Sequence, residues 1–104
     1  MLDRRNRLLV PIVSNFNTMQ NPLFTLKISR NQGGVKRFAF VVSKRVDKRA
    51  VVRNRIKRIF RASIRNIMDK IDEDIDALII VKKKARESSQ LEIKNELEKS
   101  LLTK

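Results

Sequence analysis

Asn54, Arg55, Lys57, Arg58, Arg61 and Arg65 fall on one arc of a helical wheel at 100° per residue, with no acid among them. The chemistry of such an arc is binding rather than bond-making. A guanidinium forks two oxygens of a phosphate, whereas an ammonium offers only a point charge. A solvated helix face normally mixes in Glu to form i,i+4 pairs; this one accepts like-charge repulsion, which makes sense against a polyanion. The carboxylates Asp69, Asp72, Glu73, Asp74 and Asp76 form the other cluster of reactive type. Their spacing fits neither an EF-hand loop nor a two-metal pattern, so they read as a solvated acidic connection, with no metal site. The sequence contains no His and no Cys. That removes the commonest general base and metal ligand, every thiolate nucleophile, disulfides and Cys-based zinc sites. A self-sufficient hydrolase would have to work with carboxylates or a lysine, and no catalytic side chain is assigned.

The net charge is +14 over 104 residues, and its placement says more than its size. From Lys27 to Arg65 there are 14 Lys and Arg against one acid, Asp47; the rest of the chain is nearly balanced. Charge concentrated on one contiguous segment is the footprint of a polyanion site. With 41% hydrophobic residues, and five aromatics that are all Phe, the core must rest on Ile, Leu and Val. The length suits one domain, 1–104, and no repeat or linker divides it. No run approaches the roughly 18 apolar residues of a membrane span, and residues 8–13 are too short and broken by Pro11 for a signal peptide. A cytoplasmic protein without a membrane partner is expected.

The elements that must position the basic arc follow from periodicity. Residues 11–19 read as a short helix, with proline at its first position and Ile12, Phe16 and Met19 on one face; Asn21-Pro22 ends it. Residues 23–29 alternate, with Phe24, Leu26 and Ile28 inward and Thr25, Lys27 and Ser29 outward. Residues 36–43 alternate likewise, with Phe38, Phe40 and Val42 opposed to Arg37, Ala39, Val41 and Ser43. The glycines at 33 and 34 would join these two strands as an antiparallel hairpin. Residues 49–68 turn helical, burying Val52, Ile56, Ile59, Phe60, Ser63, Ile64 and Ile67. The run 77–81 is continuously apolar, as an inner strand covered on both faces would be. Ser89-Gln90-Leu91-Glu92 makes a capping box for a last helix striped by Ile93, Leu97 and Leu101. The fold class expected is α+β: a single-domain α-β sandwich with a small mixed sheet, in the order α-β-β-α-β-α.

The segment from Ser43-Lys44-Arg45 to Arg65 reads SKRVDKRAVVRNRIKRIFRASIR. It resembles the signature of the bacterial ribonuclease P protein family, an SKK turn followed by an RNR helix. The core is Ala50-Val51-Val52-Arg53-Asn54-Arg55-Ile56-Lys57-Arg58, and Asn6-Arg7-Leu8, the strand 37–42 and the strand 76–82 extend it loosely. The resemblance implies a protein subunit of an RNA-based endoribonuclease that matures the 5′ ends of tRNA. The catalytic RNA would hold the Mg2+ ions and perform the hydrolysis, so the missing His and Cys do no harm. It further implies that Arg53, Asn54, Arg55, Lys57, Arg58, Arg61 and Arg65, with Ser43, Lys44 and Arg45 of the turn, contact the ribonuclease P RNA. Phe16, Thr25, Lys27, Arg37, Ala39 and Val41 would line a cleft for the 5′ leader of precursor tRNA. The departures fall in that cleft: Gln20 and Lys27 stand where the family often has aromatics, Ala39 and Asp47 where glycine is usual, and Val41 where a small polar residue is common. Each lost aromatic removes a stacking surface worth about 1–3 kcal/mol per base. Parallel strand-helix-strand crossovers are right-handed in ~98% of cases. The family is an exception through its basic helix, and the resemblance implies a left-handed crossover here.

Three other readings share the basic face. A small ribosomal protein, as a noncatalytic binder of structured RNA, is the main alternative. A DNA-reading helix would need a partner helix across a short turn, whereas strands flank this one, so DNA is not an expected partner. A protein-only nuclease lacks a converging set of carboxylates.

Overall fold

The computed structural model describes residues 17–30, 36–71 and 75–102. Its elements are β1 (Asn17–Gln20), β2 (Phe24–Arg30), β3 (Arg37–Val41), α1 (Ala50–Ile67), β4 (Ile75–Val81) and α2 (Gln90–Leu102). Short 3-10 turns cover Met68–Lys70 and Lys83–Glu87. The four strands form one mixed sheet in the order β1-β2-β4-β3. The fold is therefore α+β, as expected. Among the described residues no helix is long and apolar enough to cross a membrane.

Phe24, Leu26, Phe38, Ile75, Ala77, Ile79 and Val81 point from the strands into a single core. From α1 come Val52, Ile56, Phe60, Ile64 and Ile67, and from α2 Ile93, Leu97 and Leu101. Phe60 is the hub: its ring stands edge-on to Phe24 at 5.9 Å and lies 6.3 Å from Phe40. Ser63 is fully buried on the same stripe, and its hydroxyl donates to the Ile59 carbonyl at 2.8 Å, so no polar group is left unsatisfied there. The capping box is made in both directions. The Ser89 amide donates to Glu92 Oε1, and the Glu92 amide donates to Ser89 Oγ, each at 3.1 Å.

Three sequence expectations need correction. The helix expected over 11–19 fails at its end, because Asn17–Gln20 is a strand paired antiparallel with β2; residues 11–16 lie outside the described residues. Its cause is the turn that follows. Asn21 Oδ1 accepts from the Leu23 and Phe24 amides at 2.8 and 3.0 Å, and the Asn21 amide donates to the Phe24 carbonyl. This Asn-Pro turn folds β1 back onto β2. The expected hairpin of β2 with β3 does not form either. β4 lies between them, antiparallel to β2 and parallel to β3. Placing the most apolar strand in the interior satisfies both of its backbone edges and centres Ala77 and Ile79 on the core. Finally, β4 is not covered on both faces. Ile75, Ala77, Ile79 and Val81 are buried, whereas Asp76, Leu78 and Ile80 are only half-buried on the other side.

Candidate nucleic-acid interface

The residues singled out from the sequence gather on two surfaces, one on the helix layer and one on the sheet. On α1 the core stripe turns the opposite arc outward. Asn54, Arg55, Arg58 and Arg65 are exposed, and Lys57 and Arg61 half-exposed beside them. From Asn54 to Arg65 the arc runs about 16 Å at the helical rise. Arg53, half-exposed on the same helix, reaches back: its Nη1 donates to the carbonyls of Asp47 and Lys48 at 3.1 and 2.8 Å. It braces the turn that leads into the helix.

That turn carries Ser43, Lys44 and Arg45, all exposed, between the buried anchors Val42 and Val46. The Val46 amide donates to the Ser43 carbonyl at 3.0 Å and the Arg45 amide to Ser43 Oγ at 3.2 Å, which closes the bend. Asp47 sits buried beneath it. Its carboxylate accepts from the Arg49 amide at 2.8 Å, from the Arg49 guanidinium at 3.1 Å, and from Arg86 Nη1 at 3.3 Å. The Arg49 side chain first, then its amide, hold the Asp47 carboxyl far below the usual carboxylate range, against the opposing effect of burial. Asp47 thus ties the turn to the segment after β4.

The second surface is the open face of the sheet. Strand register aligns Thr25, Ile80 and Val41 in one row and Lys27, Leu78 and Ala39 in the next. A third row joins Ser29, Asp76 and Arg37. Thr25, Lys27, Arg37 and Ala39 are half-buried there and Val41 is exposed, so the sheet brings together all the described cleft residues expected from sequence. Phe16 lies outside the described residues. Sequence reasoning missed Leu78 and Ile80, which occupy the middle of this face. Arg37 grips Asp76 through two parallel bonds of 2.7 and 2.6 Å, and that pairing raises the guanidinium pKa. This carboxylate thus ties β4 to β3. Among the described residues no group of three potential metal ligands converges.

Charged helix, basic turn and open sheet face together define a small α+β protein with a strongly cationic helix-and-turn surface and a separate open sheet face. Comparison with known proteins makes the assignment specific. The family model for Ribonuclease P matches residues 4–104, and the chain belongs to that family. A ribonuclease P protein component from Fusobacterium nucleatum is 41% identical over 73 residues, covering 70% of this chain and 65% of its own length. One from Shouchella clausii is 33% identical over 96 residues, covering 91% of this chain and 78% of its own. The solved RNase P protein from Thermotoga maritima superposes with a TM-score of 0.76 at 23% identity, over 84% of this chain and 82% of that one. That likeness speaks for the fold alone.

Proposed function

We propose that this chain is the protein subunit of ribonuclease P. In this reading α1 and the 43–45 turn dock on the catalytic RNA, and the open sheet face receives the 5′ leader of precursor tRNA. The RNA supplies the magnesium ions and the endonucleolytic step; the protein supplies binding and orientation. The observation that carries the reading is the acid-free outward arc of α1, held in place by a buried inner stripe that is apolar but for Ser63.

A regular A-form duplex hides its major groove from a helix, so the arc suits phosphates that converge at a junction or tertiary fold. Arg53 contributes by bracing the turn, and Asn54, Arg55, Lys57, Arg58, Arg61 and Arg65 by contact. On the sheet face, Leu78, Ile80 and Val41 offer apolar contact to unstacked bases where relatives often offer aromatics, and Lys27 and the Arg37–Asp76 pair border them. The left-handed sense of the β3-α1-β4 crossover belongs to the same reading.

Reconstitution tests it. With bacterial ribonuclease P RNA and precursor tRNA, the protein is expected to lower the magnesium required for 5′ maturation, because its +14 charge offsets phosphate repulsion that cations otherwise screen. The protein alone cleaves nothing. With about six phosphates neutralised, log affinity for the catalytic RNA should fall with log salt at a slope of roughly −4 to −5. Cleavage by protein rigorously freed of RNA, or equal affinity for plain duplex RNA, defeats the reading.

A further inference from the structure

β3 and β4 run parallel, so both end at the same edge of the sheet. The 43–49 turn leaves that edge from β3, and the Lys83–Glu87 turn leaves it from β4. Between them lies a cleft of about 340 Å³. Lys44, Arg45, Lys48 and Arg49 line it from one side and Lys83 and Arg86 from the other, with Asp47 at its base. Six cations thus face one another across a concavity, against the single carboxylate that organises two of them. The exposed Glu87, whose Oε1 lies 3.9 Å from Arg86 Nη2, is the one acid beside them among the described residues. Helix α1 begins one residue beyond Arg49, so the positive end of its dipole faces the same edge. In open sheets with parallel strands, ligands bind outside the carboxyl ends of those strands.

We infer that this cleft is a phosphate-binding site, distinct from the outward arc of α1, and that its occupant is a backbone phosphate of the ribonuclease P RNA. The inference rests on the proposed subunit role. Phosphate is the chemistry a concave, strongly cationic site selects. The RNA is favoured as its source because Lys44 and Arg45 belong to the turn that leads directly into α1. Asp47 has a positioning role: Arg49 spans both oxygens of its carboxylate and Arg86, from a separate segment, shares Oδ2, so one acid holds both guanidinia. Lys48 and Lys83 are exposed, so they can close on a ligand without disturbing the core.

The test compares the wild-type chain with Lys48→Gln/Lys83→Gln, which keeps most of each stem and removes the charges. Lys99→Gln, exposed on α2 and remote from the cleft, is the control. Binding to ribonuclease P RNA is measured across salt concentrations. The double variant is expected to lose on the order of tenfold in affinity, and its salt slope to become shallower by about one, as for one lost phosphate contact. Its melting temperature should match that of the control. A double variant that binds like Lys99→Gln, while Arg58→Ala still weakens binding, overturns the cleft and leaves the subunit role standing. Loss of all preference for the catalytic RNA by the wild type overturns both. A second arm titrates inorganic pyrophosphate while amide shifts of residues 83–87 are followed. Saturable binding that the double variant abolishes, with RNA affinity unchanged, would mark a pocket for free anions and overturn the RNA assignment.

Discussion

Helix α2 opens on Ser89 and Glu92, whose side chains cap each other's amides, and carries Lys94 3.7 Å from Glu98 one turn on. Helix α1 opens after Arg49 with no side-chain cap and no acid in its first turn, and then places Arg and Lys side by side along its outer arc. Both helices bury an apolar stripe in the same core. The difference lies at their starts and outer faces: α2 has a capping box and an i,i+4 ion pair, and α1 has neither. A helix written only for the fold would look like α2. The outer surface of α1 is written for something outside the protein, and its stability comes almost wholly from what it buries.

Three substitutions probe this contrast. The largest effect belongs to the anchor of α1. Phe60→Ala removes the ring that meets Phe24 and Phe40, and should lower stability by about 3–5 kcal/mol, measured by denaturant unfolding. A much smaller loss would mean that α1 has local support not yet recognised. Ser89→Ala comes next. Opening the capping box should cost about 1 kcal/mol, enough to move the melting temperature by several degrees. No change would remove the distinction between the two helices. The smallest effect on stability should come from Arg58→Ala, with an unusual sign. It relieves the like-charge neighbours Arg55 and Arg61, so stability should hold or rise by up to ~0.5 kcal/mol. Affinity for the catalytic RNA should nevertheless fall on the order of tenfold, the cost of one charged hydrogen-bonding group. If Arg58→Ala destabilises the fold and spares RNA binding, the outer arc is structural and the comparison collapses.

What the sequence made legible was local. The alternation Phe24, Leu26, Ile28 and Phe38, Phe40, Val42, the stripe Val52 to Ile67, and the capping box each lie within a few residues of the partners that define them. The basic arc of α1 was equally plain, because an amphipathic helix displays both faces in one stretch of chain. What stayed hidden was pairing at a distance. Nothing within residues 23–43 announces that β4 will separate β2 from β3, since that choice is made by the core as a whole. β1 was missed because all four of its residues are exposed; backbone hydrogen bonds alone make it a strand, and periodicity cannot report those. Leu78 and Ile80 were hidden by their own run, in which every residue is apolar and no period remains. Arg86 meets Asp47 across 39 positions, so the basic cleft had no signature in either segment read separately.

The interior position of β4 also sets a timetable for the newborn chain. Arg37 of β3 pairs with Asp76 of β4, 39 residues downstream. A ribosome adding about 5–20 residues each second spends roughly two to eight seconds between making the two. Throughout that interval β2 and β3 have been synthesised but lack the strand that each will border. The apolar stripe of α1, made within the same interval, likewise has no finished sheet to cover, and its outer arc gives no help in holding a helix. The most strongly charged part of the molecule therefore has to wait for the most apolar strand before its buried stripe has a complete sheet to cover.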